Sequence, residues 1–201
     1  MNKTELRSAW ENAQIGERTY HETDHGRFYH LSTFDEHLEW YRNFYEGYFK
    51  HLSISTDLQN KRIMEIGPAM IPCLHYCTNM GQSYILEPCS YSETKALIAN
   101  KPIEHIALAA EDCTFPKVDE IWLFNVLQHT IDPDLIIEKS KEAAKVVKFF
   151  EPIDLGTDPL HLHAFKYEYF TRHFGEQCTK KYTGEVKGFH SARCAYGIWM
   201  A

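Results

Sequence analysis

Residues 61–90, KRIMEIGPAMIPCLHYCTNMGQSYILEPCS, leave the chain little freedom in how it can fold. A short β-type run over 62–66 carries a carboxylate, Glu65, near its end, and a loop holding Gly67 and Pro68 follows. Gly67 permits a turn and a close backbone approach that a Cβ would block. Pro72 suits the first turn of a helix, because it has no N–H to lose there and its φ is already helical. That helix would carry Cys73 and Cys77 four residues apart. A second β-type run over 83–86 ends in another acid, Glu87. Strand, Gly-containing turn, helix and acid-ended strand make half of a doubly wound nucleotide-binding arrangement. A helix start there offers unpaired N–H groups to a carboxylate or phosphate. An acid closing the second strand stands where it can accept from both hydroxyls of a ribose, with its carboxylate in an open cleft.

These residues resemble the class I S-adenosylmethionine-dependent methyltransferases. EIGPA (65–69) is similar to the family's E-x-G-x-G-x-G motif, with Ala69 and Ile71 in place of the second and third glycines. LEP (86–88) is similar to its acidic second-strand end. The resemblance runs over roughly residues 61–175. It implies S-adenosylmethionine as cofactor, with contacts from Glu65, Gly67, Pro68, Ala69, Glu87 and Pro88. Ala69 narrows the room for the methionine part of that cofactor. AAEDCTFP (109–116) resembles the loop that brackets the adenine. Ala109 stands where many members carry the acid, so Ala110 with Glu111 or Asp112 would have to make that contact. NVLQHT (125–130) resembles the post-strand motif of the small-molecule branch. It implies cofactor contacts from Asn125, Val126 and Gln128, and places His129 beside the transferred methyl. A capping or packing histidine at a strand-to-helix turn would look the same.

The rest of the chain keeps alternating. DEIWLFN (119–125) is the strongest strand, a continuous run of the kind buried in parallel sheets. A weaker strand is expected over 103–108 and helices over 91–99 and 133–144, the latter with Asp132 as N-cap before Pro133. A fifth strand over 146–150 is closed by Glu151 and Pro152. A loop over 153–162, a helix over 166–174 stopped by Gly175, and an antiparallel pair at 178–183 and 191–199 complete the pattern. Polar residues thus collect at the carboxyl ends of the strands, the edge where ligands bind in such sheets. The expected fold is α/β, a Rossmann-like seven-stranded mostly parallel sheet with helices on both faces and a helical N-terminal cap. One methyltransferase-like domain over 1–201 is expected, with 1–58 as cap or lid and 59–201 as core.

The first sixty residues are rich in aromatics and histidines. A short helix is expected over 6–12 and an irregular segment over 16–31. Thr33 and Glu36 form a capping box for a helix whose apolar face would hold Phe34, Leu38, Tyr41, Phe44 or Tyr45, Tyr48 and Leu52. Such a segment suits a lid presenting Tyr20, His21, His25 or Arg27 to a substrate, although solvated loop residues would read alike. His21 to His25, HETDH, also matches the zinc-peptidase pattern H-E-x-x-H, which needs both histidines on one helical face. Thr23, Asp24 and Gly26 argue against a helix there, and with 12 histidines in the chain a chance match is unsurprising. His161 and His163 lack a completing Cys or acid at metal-ligand spacing, so substrate contact, base or structural hydrogen bonding are their readings, and no metal is expected. A neutral imidazole can take a proton from an acceptor; His129 is the first candidate for that role and His163 the second.

Charge and cysteines narrow the partners. The net charge of −7 comes with no block of lysines or arginines, so a nucleic-acid backbone is not the expected partner. No apolar run is long enough to span a membrane, and residues 1–14 do not read as a signal peptide. The six cysteines form no C-x-x-C pair, and no disulfide is expected. A cytoplasmic enzyme acting on a small molecule is the expectation. Two rivals stand beside it, a binding protein that keeps the fold without transfer and a zinc hydrolase built on HETDH.

Overall fold

The computed structural model describes residues 3–24, 29–183 and 193–201. Helix α1 (Lys3–Thr19) runs into a π-helical turn (Tyr20–Asp24), and α2 (Phe34–His51) follows. Then come β1 (Ile63–Ile66), β2 (Ser83–Leu86), α3 (Ser92–Ile98), β3 (Ile103–Ile106) and β4 (Val118–Phe124). The chain ends with α4 (Pro133–Ala143), β5 (Ala144–Ile153), α5 (Tyr167–Phe174), β6 (Thr179–Thr183) and β7 (Arg193–Met200). The strands form one sheet of seven in the order β3-β2-β1-β4-β5-β7-β6. Neighbouring strands are parallel except that β7 runs antiparallel to both β5 and β6. The order reverses between β1 and β4, which makes their carboxyl ends the switch point of the sheet.

Both faces of the sheet are covered, as near-continuous apolar strands require. Phe150 points to the α2 side, where Tyr48 lies 4.8 Å from it and 5.0 Å from Phe124, ring centre to ring centre. Phe149 points the other way and stacks on Phe174 at 4.2 Å and Phe170 at 5.6 Å, both from α5. Helix α2 buries Tyr41, Phe44, Tyr45, Tyr48 and Phe49. At ~1.5–3 kcal/mol for each large apolar side chain, as an upper estimate, this face alone holds the helix to the sheet with on the order of 10 kcal/mol. Its start is fixed by the expected capping box: Thr33 Oγ1 accepts from Glu36 N, and Glu36 accepts from Thr33 N. Asp132 caps α4 through Leu135 N at 3.1 Å, and α5 stops at Gly175 with φ +88°.

Several local expectations are corrected. No α-helix follows β1. Pro72 is extended (φ −75°, ψ 149°) and leads only a 3₁₀ turn, Cys73–Tyr76. The next residues are taken by the segment before β1, since Thr78 N donates to Thr56 O and Leu58 N to Thr78 O. Helix α1 is longer than 6–12 and its helical path continues through 20–24, where an irregular chain was expected. Threonine hydroxyls bond back one turn there, Thr19 to Ile15 O and Thr23 to Thr19 O, a pattern that bends a helix, and the turn is held by His21, which meets Glu17 and Tyr41. Phe34 is exposed, and Phe49 rather than Phe34 completes the buried face of α2. Strand β3 stops at Ile106 and leaves Leu108 exposed. Strand β5 is longer than 146–150 and contains Glu151 and Pro152. Proline fits because β4 ends opposite Phe150, so Pro152 has a strand on one side only.

Candidate cofactor and acceptor site

A cavity of about 520 Å³ opens at the carboxyl ends of β1, β2 and β4, with further walls from α1, α2 and the loops after β3 and β5. That volume is in the range of small-molecule sites. Four carboxylates build its surroundings, each accepting from two backbone N–H groups. Glu65 takes Cys73 N (2.8 Å) and Leu74 N (3.0 Å). Glu87 takes Ala69 N (3.0 Å) and Cys89 N (2.9 Å). Glu111 takes Ile131 N and Asp132 N (2.7 and 2.9 Å). Glu151, fully buried, takes Val126 N (3.0 Å) and Leu127 N (3.3 Å). Burial pushes Glu65 and Glu87 up to about 7 and Glu151 up to about 8, against the pull of those N–H groups.

The turn after β1 is as tight as its glycine suggests. Gly67 has φ +63°, and a Cβ there would lie 2.1 Å from Val126 Cγ2. Ala69 also occupies the left-handed region, at φ +55°, a conformation that costs a residue with a Cβ roughly 1–2 kcal/mol. Glu87 is 6% exposed rather than set in an open cleft. Its two oxygens offer about four lone-pair sites. Two are used by Ala69 and Cys89, so two remain for a pair of hydroxyls. Pro68, Pro88, Ala110, Glu111, Asn125, Val126 and Gln128 line the same cavity. Asp112 does not. It forms a two-pronged ion pair with Arg7 of α1 at 2.8 and 2.9 Å, so of the two candidate acids only Glu111 remains beside the cavity.

His129 sits at the centre of a chain of polar contacts. Its Nδ1 lies 3.0 Å from Glu17 Oε1 and 3.1 Å from Leu160 O, both acceptors, so Nδ1 carries the hydrogen. Its Nε2 is 3.3 Å from the Gln128 amide nitrogen, which also donates to Asn125 Oδ1 at 2.9 Å. The other oxygen of Glu17 is 3.4 Å from His21 Nε2, and His21 Nδ1 is 2.9 Å from the Tyr41 hydroxyl. Burial alone would raise Glu17, but His129 and then His21 outweigh it and hold the carboxyl far below its ordinary value. Burial likewise pulls His129 down, and the Glu17 charge and hydrogen bond outweigh it, so the imidazole is raised. Glu17 is the site residue that sequence reasoning missed. Its one signal is the spacing of four to His21, which counts only if the helix continues through residue 21.

The other histidines separate. His161 lines the cavity, its ring 4.6 Å from that of His129 and its Nδ1 2.6 Å from Asp158 Oδ2. His163 is not among the cavity residues: its Nε2 donates to Thr130 O at 2.8 Å and its ring stacks near Phe165. The second base candidate is therefore withdrawn. Tyr20 and His21 line the cavity, while His25 and Arg27 lie outside the described residues. Among the described residues no group of three or more His, Cys, Asp and Glu side chains is placed to hold a metal ion. All six cysteines are free thiols.

No protein-family model and no curated protein matches the sequence. Solved structures do match the fold. DhpI in complex with S-adenosylhomocysteine superposes with a TM-score of 0.64 at 11% identity, over 98% of this chain and 97% of that one. The 1,6-didemethyltoxoflavin-N1-methyltransferase of Burkholderia thailandensis, bound to 1,6-didemethyltoxoflavin and S-adenosylhomocysteine, gives 0.63 at 10% identity over 98% and 89%. The [4+2]-cyclase SpnF gives 0.53 at 13% identity over 76% and 77%. The fold is that of the class I S-adenosylmethionine-dependent methyltransferases.

Proposed function

We propose that the protein is an S-adenosylmethionine-dependent methyltransferase acting on a small molecule, with residues 1–201 as one catalytic domain. The observation that carries this reading is the shared cavity. Glu87, with lone pairs left for a diol, stands beside the Gly67–Ala69 turn, and His129 faces the same space. When bound, S-adenosylmethionine supplies a methyl group on a positively charged sulfur. Glu87 would hold its ribose hydroxyls, Ala110 and Glu111 would flank its adenine, and Gly67, Ala69 and Asn125 would line its methionine part. Glu65 and Glu151 hold the loops that present these groups.

His129 is the residue assigned to the proton. Its Nε2 would take the proton that the acceptor's O–H or N–H gives up, in place of the 3.3 Å contact from the Gln128 amide. Glu17 does not touch the acceptor in this scheme; it fixes the tautomer and stabilises the imidazolium. Helices α1 and α2 close over the cavity and exclude water. Titration calorimetry with S-adenosylhomocysteine tests the reading, with saturable one-site binding expected. Absence of binding would sink it. Binding without methyl transfer to any acceptor would favour a non-catalytic protein of the same fold, a reading supported by Ala69 in a left-handed position where glycine is the easy choice.

A further inference from the structure

The walls of the cavity bear on which acceptor it takes, given the methyltransferase reading above. Helices α1 and α2 and the turn between them supply Trp10, Tyr20, Tyr41, Phe44, Tyr45 and Tyr48. Two of the tyrosine hydroxyls are already engaged: Tyr45 donates to Ile71 O at 2.5 Å, and Tyr41 contacts His21 at 2.9 Å. What these residues present to a ligand is ring surface. The rings also brace one another, Phe44 against Tyr48 at 5.0 Å and Tyr41 against Tyr45 at 5.7 Å between centres, so the wall is formed before a ligand arrives. A pre-formed aromatic wall gains roughly 0.5–1.5 kcal/mol per well-placed ring pair beyond area burial.

Charge adds a second constraint. Glu17, Glu65, Glu87 and Glu111 line the cavity, and among the described residues no lysine or arginine does. The cavity's imidazoles already face carboxylates, His129 and His21 on Glu17 and His161 on Asp158. A carboxylate or phosphate on the acceptor would lose its water and meet like charge, an expensive burial without a partner. A neutral ring loses little on entering and stacks.

We infer that the acceptor is an uncharged aromatic compound carrying the hydroxyl or amino group to be methylated on its ring, seated against the α1–α2 wall with that group toward His129.

The test uses the full chain saturated with S-adenosylhomocysteine and three matched probes: 2-naphthol, 2-naphthoate and decahydro-2-naphthol. Calorimetry is expected to rank naphthol tighter than naphthoate by at least ~10-fold, which is about 1.4 kcal/mol. It should exceed the saturated alcohol by roughly 2- to 12-fold, the ring-pair gain. Phe44→Leu keeps apolar bulk without the ring and should remove most of that second gap while S-adenosylhomocysteine still binds. Equal or tighter binding of naphthoate would overturn the charge argument, and equal binding of the saturated alcohol the aromatic one. Failure of all three probes on the loaded protein overturns the inference alone. Failure of S-adenosylhomocysteine itself overturns the reading it rests on.

Discussion

Glu17→Gln separates the role of a charge from the role of a shape. Gln preserves the side chain's length and, through its oxygen, the hydrogen bond to His129 Nδ1; it removes the charge and turns an NH2 toward His21 in place of the second oxygen. Both partners are mostly covered, with side-chain exposures of 17% and 18%, and their polar atoms are 3.0 Å apart. An opposite charge this close typically moves a titration by about 1–3 units, so His129 should titrate lower in the variant by that much, equivalent to roughly 1.4–4 kcal/mol. The other groups facing His129 are the Leu160 carbonyl, the Gln128 amide, the His161 ring with Asp158 behind it, and the more distant Glu87 and Glu151. None of them changes.

The pH dependence of folding gives a second readout with a definite sign. Glu17 has a depressed folded value, so its contribution is present above the ordinary carboxylate range and is lost as pH falls through that depressed value. His129 has a raised folded value, so its contribution is full below about 6.5 and is lost as pH rises through the raised value. The pair therefore stabilises most between roughly pH 4.5 and 6.5. Denaturant unfolding should show a larger loss for Glu17→Gln at pH 6 than at pH 9, and NMR titration of the His129 ring reads the shift directly. An unchanged His129 midpoint in the variant would refute the coupling, whatever happens to activity.

Three further outcomes are expected. Glu87→Ala should weaken S-adenosylhomocysteine binding by roughly 10- to 150-fold, from the loss of charged hydrogen bonds. Because Ala69 and Cys89 lose their acceptor, it should also lower the stability of the ligand-free protein by ~1–3 kcal/mol. Calorimetry and urea unfolding check the two parts, and undiminished affinity would remove Glu87 from the site. Ala69→Gly should leave stability unchanged or raise it by up to ~1.5 kcal/mol, since relief of about 1–2 kcal/mol of left-handed strain is offset by ~0.5–1 kcal/mol of backbone entropy; a loss beyond ~1 kcal/mol would contradict this. Burial raises Glu151 to about 8 in the folded chain, so its contribution is full below about 4.5 and is lost as pH rises through 8. The stability difference between Glu151→Gln and the parent should therefore move in the variant's favour by ~2–5 kcal/mol between pH 5 and 9, and a difference constant with pH would refute it.

What the sequence made legible was local. The Gly67 turn, the Thr33–Glu36 box and the Asp132–Pro133 start each act within a few residues, where chain geometry decides the outcome. The misses all involve distant partners. The helix expected after Pro72 gives way because Thr78 pairs with Thr56 and Leu58, ahead of β1. Glu111 and Asp112 are adjacent acids, and Arg7, 105 residues away, takes Asp112. In a regular strand His161 and His163 would share a side. Here Leu162 and His163 both donate to Gln128 O, so the chain turns between the histidines and only one ring reaches the cavity. Glu17 was hidden for the same reason, because the helical turn through 20–24 is tied down by the contact of His21 with Tyr41, 20 residues on.

Helix α4 ends at Ala143 and β5 begins at Ala144, with no linker between them. A strand displays its side chains with a period of two, so its phase is inherited from the helix that feeds it. One residue inserted at this junction would invert that phase. Phe149 would turn toward α2 and Phe150 toward α5. Glu151 would swing away from the Val126 and Leu127 amides that it holds. The turn bearing Asn125, Gln128 and His129 would then lose its anchor, although none of its own residues had changed. Natural variation in length should therefore be tolerated before α4 or after β5 and be absent between Ala143 and Ala144.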